Sequence, residues 1–370
     1  MLHYPTFSPS WTGVSGVLIF ILFLCTACGK KDIPHSGEEP LYFRIADTLG
    51  MRVVDVYNPW QKGERLGRYY LVGDSATDVP ADGVRLQVPL QRIATTSATH
   101  IGFLHALYAM DQVVAMATPQ LVYNRPLQPV VDIGEDLNPD IERLLLSQPD
   151  AILVSAYGQN MQNTERIRQA GIPIVYMVEW REDNPIARMQ WIRFVGALMG
   201  KDSQADSIVS AVCEAYHQEQ TISRDIHQHR SIMSGASFRG TWYVPAGNSY
   251  MARLFCDAGA DYAYSNTNED GSIPLNMEQA LQVFGNADVW VGVNAHSLSE
   301  LKSIDEKQTW FRAYQNGEVY NFYRRQNDTG GNDFWETGIV HPEYILRDIR
   351  FALYPETMPD YQPVFLQRLE

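Results

Sequence analysis

The chain has 370 residues, 43 acidic against 29 basic, and a formal net charge of −14. That balance argues against general nucleic-acid binding, and the length suffices for two domains. Its 8 Trp and 20 Tyr supply core material and also offer recognition surface.

The first distinctive element is GVLIFILFLC at 16–25. It is too short to cross a bilayer comfortably as a helix and suits the apolar region of a secretory signal. The Thr26-Ala27-Cys28 that follows resembles a bacterial lipoprotein cleavage site. On that reading 1–27 is a signal peptide and Cys28 the lipidated first residue of the mature chain. Residues 28–40, ending in KKDIPHSGEEP, have the composition of a tether. An oxidising compartment permits a bridge between Cys213 and Cys256, although neither spacing nor motif demands one. No CxxC pair follows the leader to suggest structural zinc.

Alternation over 41–56 reads as a strand pair, and 69–72 adds another short strand. An α/β rhythm begins at the strand 92–95. Thr96 to Thr99 form a polar turn that caps a helix over 100–108. Strands at 112–116, 151–155 and 174–178 alternate with helices at 139–146 and 164–169, which argues for a parallel sheet covered by helices. From 186 to 229 the stripes Ile192, Val195, Leu198, Met199 and Ile208, Val212, Ala215, Tyr216 read as one long helix or two nearly collinear ones. The rhythm returns with strands at 231–234, 289–293 and 319–323 and helices at 250–257, 277–284, 310–315 and 341–351. NPDIERLLLSQPDAILVSA at 138–156 and NMEQALQVFGNADVWVGVNA at 276–295 share one plan, which suggests a duplicated α/β lobe. The expected architecture is therefore α/β, with two Rossmann-like lobes and parallel-rich sheets. Residues 41–184 form the N-terminal lobe, 185–229 a linking helix and 230–370 the C-terminal lobe.

These residues together resemble the bacterial substrate-binding lipoproteins that serve importers of iron chelates, haem and cobalamin. The resemblance rests on Cys28, RIATTSATH, the segment from Asp132 to Val154, AGIPIV at 170–175, AGNSYMARLFCDAGADY at 246–262 and DVWV at 288–291. It looks closest to a branch from the Bacteroides group, which shares segments like EWREDNPIARMQWIRF and GGNDFWETG. The resemblance implies two lobes bridged by a rigid helix with ligand between them, and a monomer in the periplasm held to a membrane by lipid. It implies no intrinsic cofactor and no enzymatic step. The bound ligand would be an iron chelate, haem or corrinoid. The partner would be an ABC permease of the inner membrane or an outer-membrane receptor system. It also gives Glu142 and Glu278, one on each lobe, the role of docking to permease arginines. Both also sit in first helical turns, where carboxylates are favoured in any case.

In α/β units, ligands meet loops at the carboxyl ends of the strands. In the first lobe this selects Thr96, Ser97, His100, Tyr157, Gln159, Glu179, Trp180 and Arg181. In the second it selects Phe238, Arg239, Trp242, Tyr243, Asn294, His296 and the GGNDFWETG loop with Asn332, Asp333, Phe334 and Trp335. Aromatic rings suit a porphyrin, a corrin or a catechol-type chelate. Arg181, Arg188 and Arg239 suit its anionic groups. Within GGNDFWETG, Phe334 is expected to pin the loop while Trp335 faces the ligand, on the rim opposite Trp180. A bare-metal carrier is an alternative, with His100, His296, Asp333 and Glu179 as the available donors. A lipoprotein that remodels its ligand and assists metal release is another. No nucleophile elbow, HExxH or phosphate loop supports enzyme chemistry.

Overall fold

The computed structural model describes residues 37–48, 50–74, 77–158 and 162–370, with Phe238 as backbone only. The expected signal peptide, Cys28 and Gln159 lie outside the described residues. No helix among the described residues is long and apolar enough to cross a membrane.

The described chain opens with a four-stranded sheet, β1 (Phe43–Thr48), β2 (Met51–Tyr57), β3 (Arg65–Val72) and β4 (Val84–Gln87). β1, β2 and β3 pair antiparallel and β4 joins β3 in parallel. β-branched residues such as Val54 and Val56 on β2 are fully buried, which suits a strand with one packed face.

The first parallel sheet follows. Its elements are β5 (Ile93–Thr95), α1 (Ala98–Ala106), β6 (Val113–Met116), β7 (Val131–Asp132), the short hairpin β8 (Gly134–Glu135) and β9 (Asn138–Pro139), α2 (Ile141–Leu146), β10 (Ala151–Ser155), α3 (Thr164–Gln169) and β11 (Ile174–Met177). The strand order is β11-β10-β5-β6-β7, and every pairing is parallel. All five residues of β10 are buried, because helices and neighbouring chain cover both faces of such a sheet. The four-stranded sheet lies beside the edge strand β11, where Tyr69 Oη accepts a hydrogen bond from the Tyr176 N–H at 2.8 Å. An exposed donor on a sheet edge is thereby closed off.

The segment expected as one long helix or two nearly collinear ones is three: α4 (Pro185–Met189), α5 (Ile192–Met199) and α6 (Asp202–Arg224). Asn184 caps α4 ahead of Pro185, and Gly200 ends α5 in the left-handed region at φ 64°. α6 then turns back on α5, so closely that a Cβ on Gly196 would stand 2.7 Å from that of Ala205. Only α6, at 23 residues, is a long helix.

Beyond it come β12 (Ile232–Ser234), β13 (Ala236–Phe238), β14 (Thr241–Pro245), α7 (Tyr250–Asp257), β15 (Ser272–Leu275), α8 (Met277–Phe284), β16 (Val289–Val291), α9 (Leu298–Ile304), α10 (Arg312–Gln315), β17 (Val319–Asn321), α11 (Thr337–Val340), α12 (Pro342–Leu353) and β18 (Gln367–Arg368). β12, β16 and β17 are parallel and β18 closes the sheet antiparallel. β13, β14 and β15 form a separate antiparallel sheet. The internal repeat is real at the level of pairing: α2 leads into β10 beside β5, and α8 leads into β16 beside β12.

α6 belongs to two cores at once. Val209 and Val212 pack with the first sheet's core, Tyr216 packs with the second's, and Cys213 touches both. One turn further on, buried Glu219 meets Arg347 and Arg350 of α12, each at 2.5 Å. Arg350 is itself buried. Removing one partner of a buried pair strands the other, at a cost of about 3–5 kcal/mol. Glu219→Ala should therefore lower the urea midpoint strongly. Glu306→Ala, which breaks the exposed Lys302–Glu306 contact at 3.8 Å, should change stability by no more than about 1 kcal/mol.

Candidate functional site

At the carboxyl ends of β10 and β11, three rings gather. Trp180 lies 5.4 Å from Tyr157 and 6.2 Å from Trp60, centroid to centroid. The Arg181 guanidinium sits 5.6 Å from the Trp180 ring, and the Trp180 indole N–H donates to the Ala156 carbonyl at 3.1 Å. Trp60 and Tyr157 are 39% and 40% exposed, so this is a surface and not a core cluster. Trp60 was not among the expected residues. It enters from the turn after β2, where Asn58 Oδ1 accepts the Trp60 N–H at 2.9 Å. The Asn58-Pro59-Trp60 sequence carries that signal, a large ring in a turn.

Beneath the rings lies a hydroxyl-rich layer. Ser97 caps α1, and Thr99 Oγ1 donates to Glu179 Oε1 at 2.6 Å. Thr96 is buried, and its hydroxyl accepts from the Ser155 N–H at 3.3 Å. His100 does not reach the rim. It lies within α1, fully buried, between Thr95 Oγ1 at 2.8 Å and Ser155 Oγ at 3.3 Å. Burial pushes its pKa down, and the Glu179 carboxylate opposes that only in part.

At the carboxyl ends of β16 and β17, His296 packs 5.0 Å from Tyr323, whose hydroxyl donates to Asn294 Oδ1 at 3.2 Å. Arg239 and Gly240, both with positive φ, form the two-residue turn between β13 and β14. Exposed Tyr243 stands on β14, and Trp242 does not join it. Trp242 is fully buried against Trp290 and Phe311, with its indole N–H on the Ser234 carbonyl. The physical reason is the period of two. The segment expected as a loop is a strand, so neighbours face opposite ways.

Within GGNDFWETG one ring is buried and the other exposed. Phe334 is buried and stacks 4.4 Å from Phe322, while Trp335 is 51% exposed and meets Phe334 edge-on at 4.8 Å. The polar residues are not free for ligand. Asn332 is buried and accepts from the Phe334 N–H, and Asp333 is buried in an ion pair with Arg325 at 2.9 Å. Nor is the loop a free rim. Glu336 reaches the loop after β6, accepting the N–H groups of Tyr123 at 2.6 Å and Asn124 at 2.7 Å. Asn124 Nδ2 donates to Asp333 Oδ1 at 2.7 Å, and Asn327 Nδ2 donates to the Val122 carbonyl at 2.9 Å. A Cβ on Gly102 of α1 would collide with the Glu336 carbonyl at 2.2 Å, and Ile339 and Val340 pack in the first sheet's core. Loops from the carboxyl ends of both parallel sheets thus touch directly.

Arg188, on α4, is 8% exposed. Its guanidinium lies 4.5 Å over the Tyr250 ring, and its Nε has no hydrogen-bond partner. Among the described residues no carboxylate pairs with it. α4 touches both the 179–181 turn and helices α7, α11 and α12.

The donors that a bare-metal site would need do not converge. Asp333 and Glu179 are held by Arg325 and Thr99, and His100 and His296 stand in separate networks. No group of three or more His, Cys, Asp or Glu close enough to hold a metal occurs among the described residues. Cys213 and Cys256 are free thiols. Glu142 and Glu278 are exposed in the first turns of α2 and α8, behind the capping residues Asp140 and Asn276.

The profile of the periplasmic binding protein family matches residues 93–323, more than half of the chain. The chain belongs to that family. The match runs from β5 to just beyond β17 and leaves out the four-stranded sheet and the Glu336 loop. An uncharacterised lipoprotein from Methanocaldococcus jannaschii is 22% identical over 350 residues, covering 87% of this chain and 77% of the relative. A second uncharacterised lipoprotein from that organism is 20% identical over 330 residues, covering 80% of this chain and 84% of the relative. The fold is similar to the periplasmic heme-binding protein RhuT from Roseiflexus sp. RS-1, with TM-score 0.57 and 17% identity over 72% of this chain and 98% of that one. It is also similar to a periplasmic heme-binding protein from Pseudomonas aeruginosa, with TM-score 0.58 and 13% identity over 76% and 98% of the two chains. The TroA-like periplasmic binding protein FepB from Veillonella parvula gives TM-score 0.54 at 16% identity, over 77% and 96%.

Burial pushes the Glu336 carboxyl up to about 7, although its two backbone N–H donors favour the anion. In the unfolded chain it titrates near 4.5. Between these values the folded chain holds a proton that the unfolded chain has lost. Stability from this group is whole below about pH 4.5 and is lost as pH rises through about 7. Denaturant midpoints across this range should fall less steeply in Glu336→Gln than in the wild type. Glu182, also raised to about 7 chiefly by burial, should account for a further share. An unchanged slope in the double Gln variant would refute the assignment.

Proposed function

We propose that this chain captures a large, flat, anionic metal chelate between its two parallel sheets and delivers it to the permease of an ABC importer. An iron chelate, haem or corrinoid fits that description. The observation that carries the reading is Arg188. A guanidinium taken out of water with no carboxylate beside it is costly unless an anion arrives. Rim aromatics support the same reading, since Tyr157, Trp180 and Trp60 offer a broad ring surface beside Arg181. So does the contact between the loops that leave β6 and β17, which brings the carboxyl ends of both sheets to a common region. Tyr243, His296, Tyr323 and Trp335 then form the second wall. The solved relatives named for heme binding agree with the ligand class.

On this reading residues 41–184 and 230–370 act as two lobes joined through 185–229, and Cys28 carries the lipid that holds the protein in the cell envelope. The two relatives named as lipoproteins support the anchor. Glu142 and Glu278 both occupy first helical turns, of α2 and α8. Two separated negative points orient a rigid body on a basic permease surface.

Arg188→Met should weaken binding of an anionic chelate such as haemin at least tenfold by absorbance titration, while leaving the urea midpoint unchanged or higher. A structural arginine would give the reverse, lost stability with unchanged affinity. Trp180→Ala should cost about 1–3 kcal/mol of binding if the ring stacks on ligand.

Replacing Glu142 and Glu278 together with Lys should abolish stimulation of the reconstituted transporter's ATPase and leave the chelate dissociation constant within about twofold. Loss of both would mean that the residues act on folding and not on docking.

A further inference from the structure

The four-stranded sheet does more than cover an edge. Between it and the edge of the first parallel sheet lies a cavity of about 390 Å³. Trp60, Arg65, Ser155, Gly158, Arg168 and Tyr176 are among its walls. Among the described residues its lining contains two guanidinium groups and no carboxylate, although the chain as a whole carries a charge of −14. Arg168 has one ion-pair contact, to Glu165 at 3.9 Å, and donates to the Tyr176 hydroxyl at 3.1 Å. That leaves guanidinium donors available to an incoming anion. Arg65 is held by Asp55 at 3.0 Å and stands 3.8 Å from Asp82, which fixes its place in the wall and leaves Arg168 the less neutralised of the two. Trp60 belongs both to this cavity and to the ring cluster with Trp180, so the cavity opens beside the rim. Its indole lies against Gly158, where a Cβ would stand 3.0 Å from the ring, so a larger residue there would crowd the mouth.

We propose that this cavity is a side subsite that accepts an anionic aromatic arm of the ligand, with Trp60 stacking on the ring and Arg168 and Arg65 meeting its oxygen atoms. The volume suits a single substituted ring with a few waters. Aromatic stacking and a guanidinium fork together select a planar acid over a neutral ring. Residues 58–66 of the lining precede the span matched by the family profile, while Val154 to Ala156, Gly158, Arg168 and Tyr176 lie within it. The inference rests on the proposed capture of a chelate, and the test below reads the cavity independently of it.

The probes are 2,3-dihydroxybenzoate and its neutral counterpart catechol, titrated by calorimetry and by saturation-transfer NMR into the full-length protein. The acid should bind the wild type several-fold more tightly than catechol. Trp60→Ala and Arg168→Gln should each weaken the acid by about tenfold, and Trp60→Phe should retain most of it. Glu306→Ala, outside the cavity, should leave fragment binding within twofold. Equal binding of acid and catechol would overturn the proposal. So would fragment binding that survives Trp60→Ala and Arg168→Gln but is lost in Arg188→Met, since the acid would then sit at α4. If haemin and other chelates fail to bind while the acid still binds at Trp60 and Arg168, the subsite stands and the wider reading of function falls.

Discussion

Everything else in this structure depends on one helix being shared by two hydrophobic cores. α6 gives Val209 and Val212 to one core and Tyr216 to the other, with Cys213 at the crossing point. Neither half can rotate without exposing apolar surface on the helix that both use. The ion pairs of Glu219 with Arg347 and Arg350 fasten the second core to the same helix. The contacts of Glu336 with Tyr123 and Asn124 add a second tie at a distance from the first. Two ties between two bodies remove most hinge freedom. On the proposed reading, a binding surface assembled from both keeps its shape without ligand, so little binding energy is spent on ordering it.

That economy explains how charged groups can be placed where they are. Glu336, Glu182 and Arg188 are all buried, and each would be expensive in a mobile structure that could not guarantee partners. The two carboxylates are compensated by fixed backbone N–H groups, those of Tyr123 and Asn124 for one and Leu41 and Tyr42 for the other. Among the described residues Arg188 has the face of Tyr250 and no carboxylate. On the proposed reading that difference separates the structural charges from the one held for ligand.

The parts of this architecture legible in the sequence were those written in local period. The β10 and β16 strands are short apolar runs that follow helices, and the two segments share one plan of Asn, helix, Asp and strand. The alternation at 41–56 likewise marked β1 and β2. Errors arose where one period was mistaken for another. Trp242 and Tyr243 looked like loop neighbours until the strand put one inside and one outside. Gly200-Lys201-Asp202 carries a helix stop followed by a helix start, but the apolar stripes on either side masked it. The Glu336 tie was not legible at all, because its partners Tyr123 and Asn124 lie more than two hundred residues away and contribute only backbone N–H groups. A backbone donor has no sequence signature. The same holds for His100 and Asp333, whose types suggested ligation and whose burial is set by distant chain.

Charge then decides how such a protein can hold an anionic ligand. The chain carries −14 overall, so the far field does not attract an anion. Attraction must come from short range, where a guanidinium in low dielectric outweighs many solvated carboxylates screened within about 10 Å at moderate salt. Arg188 meets that condition by burial, and Arg181 by lying against the Trp180 ring with its Nε buried and unpaired. On the proposed reading the acidic exterior has a use elsewhere: exposed carboxylates at two helix starts suit a basic partner and keep its recognition separate from the cationic groups assigned to the ligand. On that reading the two kinds of contact differ in depth: Glu142 and Glu278 lie exposed at helix starts, whereas Arg188 is buried.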